Sequence, residues 1–334
     1  MSSSSTAPSA LHRRWPELDL GYRRLGATPT RVEQVDLPGI AEGLWIKRDD
    51  EFGDGAWGGN KVRKLEWILP EAQRRGVRTL FTVGGIGTHW GLACARYGDE
   101  VGLRTVLGLV DQPVDDHVRE QWARLVASPA VIHRFSASWR LRLAAPWLLA
   151  RAADRRGLRF TPPWYLPAGG SNAVGTLGYV ETALEIADQV AAGELPEPAS
   201  VVVPIGSGGT AAGLTLGFKI AGLATRVLGV VVNDSFPLHA EVMARLANRT
   251  GELLRSRGAR DVPSVTASDL TTRDDWLGST YGDPTPASMA AVRAAATVGL
   301  ELEPVYTGKA LAAVAELGGA LPGPVLWLHT HGPR

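Results

Sequence analysis

The stretch GGNKVRKLE, Gly58 to Glu66, sets a lysine directly behind two glycines and an asparagine. Glycines let the backbone approach a bound group closely, and Lys61 stands at a loop-to-helix junction, where a lysine can be desolvated enough to act as an amine. For an arbitrary lysine the commoner fate is the solvated side of an amphipathic helix, and the glycines alone shift that balance little. A second stretch, VVVPIGSGGTAAGL, runs an apolar strand into Gly206, Ser207, Gly208, Gly209 and Thr210 and then into a helix. Successive amides at a helix start form a nest for phosphate, with the Ser207 and Thr210 hydroxyls as further donors. The loop lacks the lysine of a nucleotide P-loop and the GxGxxG spacing of a dinucleotide turn. A single phosphate ester is its natural ligand, against the plainer reading of a tight strand-to-helix turn. The third stretch is LEPVYTGKA, Leu302 to Ala310, together with VLWLHTHGPR, Val325 to Arg334. Read alone, Tyr306 and Thr330 are packing or turn residues as readily as ligands.

Those segments need a scaffold, and hydrophobic periodicity supplies one. From Leu44 onward short aliphatic runs alternate with segments of helical period, which predicts an α/β fold with mostly parallel strands. The clearest strands are Leu44 to Arg48, Thr79 to Val83, Arg104 to Val110, Ala130 to Phe135, Val201 to Ile205, Val227 to Val232 and Pro324 to His329. Several are apolar throughout, as strands buried on both faces are. After Lys61, the residues Leu65, Ile68, Leu69 and Ala72 make one buried helical stripe, and Pro70 predicts a kink or an early break there. The run RFTPPWYLPAGG interrupts regular structure and is the expected domain crossing. Beyond it Ser171 and Asn172 stand where an N-cap is wanted for a helix through Tyr179 and Leu184.

With 334 residues, 45% of them hydrophobic, the chain can bury a full core and is long enough for about two domains. Lys and Arg number 35 against 34 Asp and Glu, so neither nucleic acid nor an anionic membrane is expected as a partner. The single cysteine, Cys94, excludes a disulfide framework within the chain and a multi-cysteine zinc site, no metal is expected, and a reducing cytoplasm is the default setting. No apolar run approaches the roughly 20 residues of a membrane span. The opening MSSSSTAPSA lacks the apolar core of a signal peptide, and residues 1–12 are expected to form a loose tail.

Together, GGNKVRKLE, LPAGGSNAVGTLGYVETALEIA, the GSGGT loop, GSTYGDP, PVYTGKA and LHT occur in the order found in D-cysteine desulfhydrases, and the chain also resembles 1-aminocyclopropane-1-carboxylate deaminases. Both are pyridoxal 5'-phosphate enzymes of the tryptophan-synthase-β-like class, fold type II. The resemblance runs from about Leu44 to Gly332. It implies two domains built on mostly parallel twisted sheets, with the cofactor in the cleft between them. Residues 1–63 and 167–334 would form the large domain and 64–166 the small one. It further implies that Lys61 forms the internal aldimine and later serves as a base near the substrate's Cα, with Lys64, one turn on, as the second candidate. Asn60 precedes that lysine, and Gly206 to Thr210 receive the cofactor phosphate. Tyr281 and Tyr306 match two tyrosines flanking the substrate, Thr330 matches a hydroxyl facing the pyridine nitrogen, and Thr307 lies nearby. A small amino acid as substrate, a homodimer and a cytoplasmic enzyme belong to the same expectation.

Ring-opening deaminases commonly carry glutamate where Thr307 stands and leucine where Thr330 stands, whereas desulfhydrases carry hydroxyls, so this chain sides with the desulfhydrases. A hydroxyl opposite the ring nitrogen supports a protonated pyridinium less than a carboxylate does, which favours prompt loss of a β or γ leaving group over cyclopropane opening. The pattern departs after the strand Thr79 to Val83, where the family presents GG-x-x-SN and this chain reads GGIGTHWG. Thr88 can keep the serine's hydroxyl role towards the substrate. His89 replaces the asparagine either as a hydrogen-bond partner of the cofactor or as a group that moves protons. Trp90 either fills space on the substrate side or packs under the following helix. The residues after HTHG are few beside those of relatives, so one wall of the site is expected to be open or supplied by a neighbouring chain. A non-catalytic phosphate-binding protein is the alternative from another class, and Lys61 argues against it.

Overall fold

The computed structural model describes residues 8–53, 58–156 and 159–332. In chain order its strands are β1 (Val32–Leu37), β2 (Ala41–Arg48), β3 (Thr79–Gly85), β4 (Arg104–Val110), β5 (Val131–Phe135), β6 (Asp154–Arg156), β7 (Arg159–Thr161), β8 (Trp164–Leu166), β9 (Ser200–Ile205), β10 (Arg226–Val231), β11 (Leu270–Arg273) and β12 (Val325–His329). The helices are α1 (Ala10–Arg14), α2 (Asn60–Arg74), α3 (His89–Asp99), α4 (Asp116–Val126), α5 (Ser138–Ala152), α6 (Ala173–Ala191), α7 (Gly209–Ala221), α8 (Ala240–Ser256), α9 (Pro286–Ala296) and α10 (Thr307–Leu317). A six-stranded sheet runs β1-β2-β12-β9-β10-β11 and a four-stranded one β5-β4-β3-β8, while β6 and β7 pair separately. Apart from the antiparallel pairs β1/β2 and β6/β7, every pairing is parallel. The α/β class with mostly parallel sheets is therefore what the alternating pattern led one to expect.

All seven strands expected from the sequence form, with ends moved by three residues or fewer. Strands β1 and β8 were not legible. β1 reads VEQVDL and pairs antiparallel along the edge of its sheet, where Gln34 and Asp36 are exposed and only Leu37 is buried. β8 is three residues set among prolines, and it is made a strand by its partner β3, through Leu80 against Trp164 and Thr82 against Leu166. The segment RFTPPWYLPAGG thus holds regular structure, contrary to the reading of pure punctuation.

Two further expectations are corrected. Pro70 does not end α2, which continues to Arg74. The carbonyl that the proline cannot use, that of Glu66, accepts instead from the Arg23 N–H at 2.9 Å, so the lost helical bond is replaced from outside the helix. Nor are residues 8–12 a loose tail. Ser9 caps α1, whose first amides, Ala10 and Leu11, donate to the carboxylate of Glu181 on α6, Leu11 is fully buried, and His12 stacks on Trp67. Residues 1–7 lie outside the described residues. Asn172, not Ser171, is the N-cap of α6, accepting from Gly175 N.

Candidate active site

The carboxyl ends of β3, β8, β9 and β12 lead respectively to Thr88, Ser171, Gly206 and Thr330. Open parallel sheets bind ligands at that edge. Lys61, the second residue of α2, is fixed from both sides. Before it, Gly59 has φ +92°, and a Cβ there would stand 2.8 Å from Gly332 N, so the turn admits only glycine and brings the segment after β12 against the lysine's own loop. After it, Arg63 is sealed from solvent and clasps Asp49 and Glu185 at 2.7–3.1 Å, and Lys47 reaches Glu185 at 2.5 Å. Burial lowers the Lys61 ammonium to about 8, with Glu303 pulling weakly the other way. A lysine so desolvated supplies free amine near neutral pH, which is what carbonyl chemistry requires. Asn60 approaches the hydroxyl of Tyr179, which donates to Asp49 at 3.0 Å.

At the glycine loop, Gly208 takes φ +89° and α7 begins at Gly209. Gly209 N donates to Ser171 Oγ at 3.0 Å, and Ser171 Oγ lies 2.8 Å from Ser207 Oγ. Thr210 is buried in the first turn of α7. Lys64 completes the cradle: its Nζ donates to Gly169 O at 2.8 Å and Ser171 Oγ at 3.2 Å, and a Cβ on Gly209 would stand 2.9 Å from it. Among the described residues no carboxylate pairs with Lys64, and burial followed by the neighbouring Lys61 drives its ammonium well below the usual range. A buried amine beneath a helix N-terminus, with hydroxyls on either side and no acid, lacks an anion as counter-charge. A phosphate ester fits that position.

Tyr281 and Tyr306 meet hydroxyl to hydroxyl at 2.6 Å with rings edge to face. Tyr306 also leans on the glycine loop, where a Cβ on Gly206 would come within 2.6 Å of its ring. Buried Glu303 accepts the amides of Val305, Tyr306 and Thr307 at the start of α10, and its charge acts on Lys61, Tyr281 and Tyr306 alike. Thr307, expected beside the substrate, is instead fully buried with its hydroxyl engaged by Glu303. Thr330 directly follows β12, and its carbonyl comes close to Gly59.

Thr88 caps α3 by accepting from Gly91 N at 3.1 Å, which leaves its O–H free to donate. His89 Nε2 lies 2.8 Å from His117 Nε2, and His331 sits edge-on to His89 with ring centroids 5.6 Å apart. Of the two readings of Trp90, the packing one fits its surroundings: it is 2% exposed, its ring covers Gly170, and its N–H donates to Thr82 Oγ1 at 2.8 Å. The indole is drawn inward because α3 turns that position towards β3 and the 168–170 turn. Sequence reading missed Ser171 as a loop partner, Glu303, His117 and His331, and took Lys64 only as a substitute for Lys61. The i, i+3 spacing of the two lysines and the HTH run were the available signals. Among the described residues no group of three or more His, Cys, Asp or Glu is placed to hold a metal ion.

Residues 23–331 match the family described as pyridoxal-phosphate dependent enzyme. The chain belongs to that family. It is a pyridoxal-phosphate-dependent enzyme, and the cradle of Lys64, Ser171, Ser207 and Gly209 fits the phosphate of that cofactor. The chain is 34% identical over 331 residues to a D-cysteine desulfhydrase of Klebsiella pneumoniae (strain 342), covering 96% of this chain and 94% of the relative. The D-cysteine desulfhydrase of Salmonella choleraesuis (strain SC-B67) matches with the same identity and the same coverage. Among solved structures, an ACC deaminase homologue superposes with a TM-score of 0.78 at 27% identity, over 97% of this chain and 95% of that one. No helix among the described residues is long and apolar enough to cross a membrane.

Proposed function

We propose that this enzyme is a lyase that removes the α-proton of a small amino acid and expels a β or γ leaving group, as a D-cysteine desulfhydrase does. The observation that carries the reading is the desolvated amine of Lys61 together with the hydrogen-bonded pair Tyr281 and Tyr306, all three within reach of the charge of Glu303. Bound in the cleft, the cofactor supplies the electron sink that weakens bonds at the substrate's Cα. Lys61 is the residue that would hold it covalently, while Ser207, Gly208, Gly209, Thr210, Ser171 and Lys64 would hold its phosphate. Thr330 would face the ring nitrogen with a hydroxyl rather than a carboxylate, which supports elimination. Lys61 Nζ takes the α-proton, Thr88 and the amides at the start of α3 receive the substrate carboxylate, and the tyrosine pair holds a proton beside the departing group.

A screen of D- and L-amino acids bearing thiol, chloro, hydroxyl or cyclopropyl groups tests this, read as keto acid and ammonia released and as exchange of the α-proton in deuterated water. Turnover of a thiol or chloro substrate is the expected result. Turnover confined to cyclopropyl substrates would favour ring opening, and no exchange with any of them would sink the lyase reading.

The division into residues 1–63 with 167–334 and residues 64–166 belongs to the same reading. Support comes from the two separate sheets, although α2 runs unbroken across residue 63. A cytoplasmic setting fits the lone buried thiol of Cys94. A second copy of the chain as partner is supported by the exposed stripe Trp139, Leu143 and Trp147 along α5, and light scattering of the purified protein tests it.

A further inference from the structure

A closed circuit of contacts joins the glycine loop to the tyrosine pair, and it passes through two neighbouring residues just beyond β10, Asn233 and Asp234. Asn233 is buried; its Nδ2 donates to Gly206 O at 2.9 Å, and its Oδ1 accepts from Ser235 N at 2.9 Å. Asp234 accepts from Tyr281 N on Oδ1 at 3.1 Å and from the Thr280 hydroxyl on Oδ2 at 3.0 Å. Tyr281 then meets Tyr306 hydroxyl to hydroxyl, and the Tyr306 ring stands against Gly206, where the circuit began.

We propose that Asp234 is the positioning residue that sets Tyr281 for its part in the reaction, and that Asn233 fixes Asp234 relative to the glycine loop. The proposal rests on the lyase reading, in which the tyrosine pair holds a proton beside the departing group. Asp234 acts through the backbone of Tyr281 and takes no part in the chemistry itself. By gripping Gly206 O and Ser235 N at once, Asn233 sets the backbone from which Asp234 projects. The phenol is thereby placed with reference to the same loop that would hold the cofactor phosphate.

The loop that carries Tyr281 has few other anchors. Gly278, Ser279 and Thr280 are exposed, so burial does not fix them. Before them Lys309 Nζ donates to Leu277 O at 2.6 Å, and Ser279 bonds to Asp283 within the loop itself. Among the described residues, the hydrogen bonds that tie Thr280 and Tyr281 to distant parts of the chain are those to Asp234 and the one to Tyr306. The Thr280 hydroxyl, joined by the Tyr281 amide, holds the Asp234 carboxyl below its ordinary range, so at neutral pH both its oxygens accept. An exposed carboxylate adds little to overall stability, whereas a reacting group misplaced by about 1 Å costs about a hundredfold in rate.

The test compares Asp234→Ala, which removes both acceptors, with Asp234→Asn, which can still accept from Tyr281 N and can donate to Thr280 Oγ1. In the cofactor-loaded enzyme Asp234→Ala should lose about tenfold to a hundredfold in kcat while KM and cofactor retention stay within about twofold. Its Tm should fall by less than about 3 °C. Asp234→Asn should recover kcat to within about threefold of the parent. In a Tyr281→Phe background the loss caused by Asp234→Ala should vanish, because the hydroxyl it places is gone. Independently of turnover, the ring-carbon signal of Tyr281 in cofactor-free protein labelled with ¹³C-tyrosine, assigned by Tyr281→Phe, should move in Asp234→Ala and stay in Asp234→Asn. Asn233→Asp, which removes the donor to Gly206 O, should move the same signal. Parental kcat in Asp234→Ala, an equal loss in the Tyr281→Phe background, or an unmoved Tyr281 signal would overturn the proposal. A parent inert towards every amino acid overturns the lyase reading alone, since the Tyr281 signal still decides the placement.

Discussion

Arg63 spreads its guanidinium across both carboxylate oxygens of Asp49, at 2.7 to 3.1 Å, and neither side chain has exposed surface. The same guanidinium reaches Glu185, which also takes Lys47, and Phe52 lies 4.2 Å beneath it. This is the clamp that sets the first turn of α2, and with it Lys61. Removing one member leaves the others as uncompensated buried charge. Asp49→Ala should cost about 3–5 kcal/mol, read as a lower urea midpoint, whereas a polar contact at the surface would cost under about 1 kcal/mol.

Two carboxyls of the interior give stability opposite dependence on pH, in adjoining windows. Burial pushes Glu185 up, but Arg63 and Lys47 outweigh it and hold the group at about 2. Its stabilisation is therefore complete above the ordinary value of 4.5 and is lost as pH falls towards about 2. Glu66 is raised to about 8 by burial, only partly relieved by the Leu25 amide. Its stabilisation is complete below the ordinary 4.5 and is lost as pH rises through about 8. Melting curves of Glu66→Gln should show the alkaline decline removed and the acid decline retained; an unchanged alkaline limb would count against the assignment.

Lys64 should behave with opposite sign in the two forms of the protein. Without an anion it is a buried amine with hydroxyl and carbonyl partners only, so Lys64→Met should leave the cofactor-free protein as stable as the parent or more so at neutral pH. With the cofactor present the lost charge-assisted contact should weaken retention by about tenfold to a hundredfold. Calorimetry of the free protein and titration with pyridoxal phosphate measure the two effects separately.

Borohydride reduction of the loaded enzyme should place the pyridoxyl group on the peptide carrying Lys61 and leave Lys64 unmodified. Lys61→Ala should lower turnover by at least about 100-fold while the glycine loop still binds the phosphate noncovalently. A pyridoxyl label on Lys64 would reverse the roles given to the two lysines.

Most of the larger sheet was legible because strands buried on both faces read as unbroken apolar runs, as in Val201 to Ile205. What escaped was set by partners rather than by composition. β8 is a strand because β3 lies beside it, and α2 passes Pro70 because Arg23 satisfies Glu66. The same division holds at the site. Lys61 and the glycine loop carry their local signal in flanking glycines, whereas Lys64, Ser171, Glu303, His117 and His331 become site residues only once distant turns converge. The burial of Thr307 and the choice between the two readings of Trp90 escaped for the same reason, since a helix's register against its neighbours decides which side chains face inward.

The place of β12 in its sheet has a consequence for biosynthesis. It lies between β2 and β9, yet it is translated after every other strand of that sheet, so on the ribosome β2 and β9 have no common neighbour to bridge them. The smaller sheet, complete by Leu166, can assemble on the nascent chain, while the floor of the cleft closes only when β12 inserts and carries Thr330 and His331 into place. A chain cut short before β12 should accordingly fail to retain the cofactor.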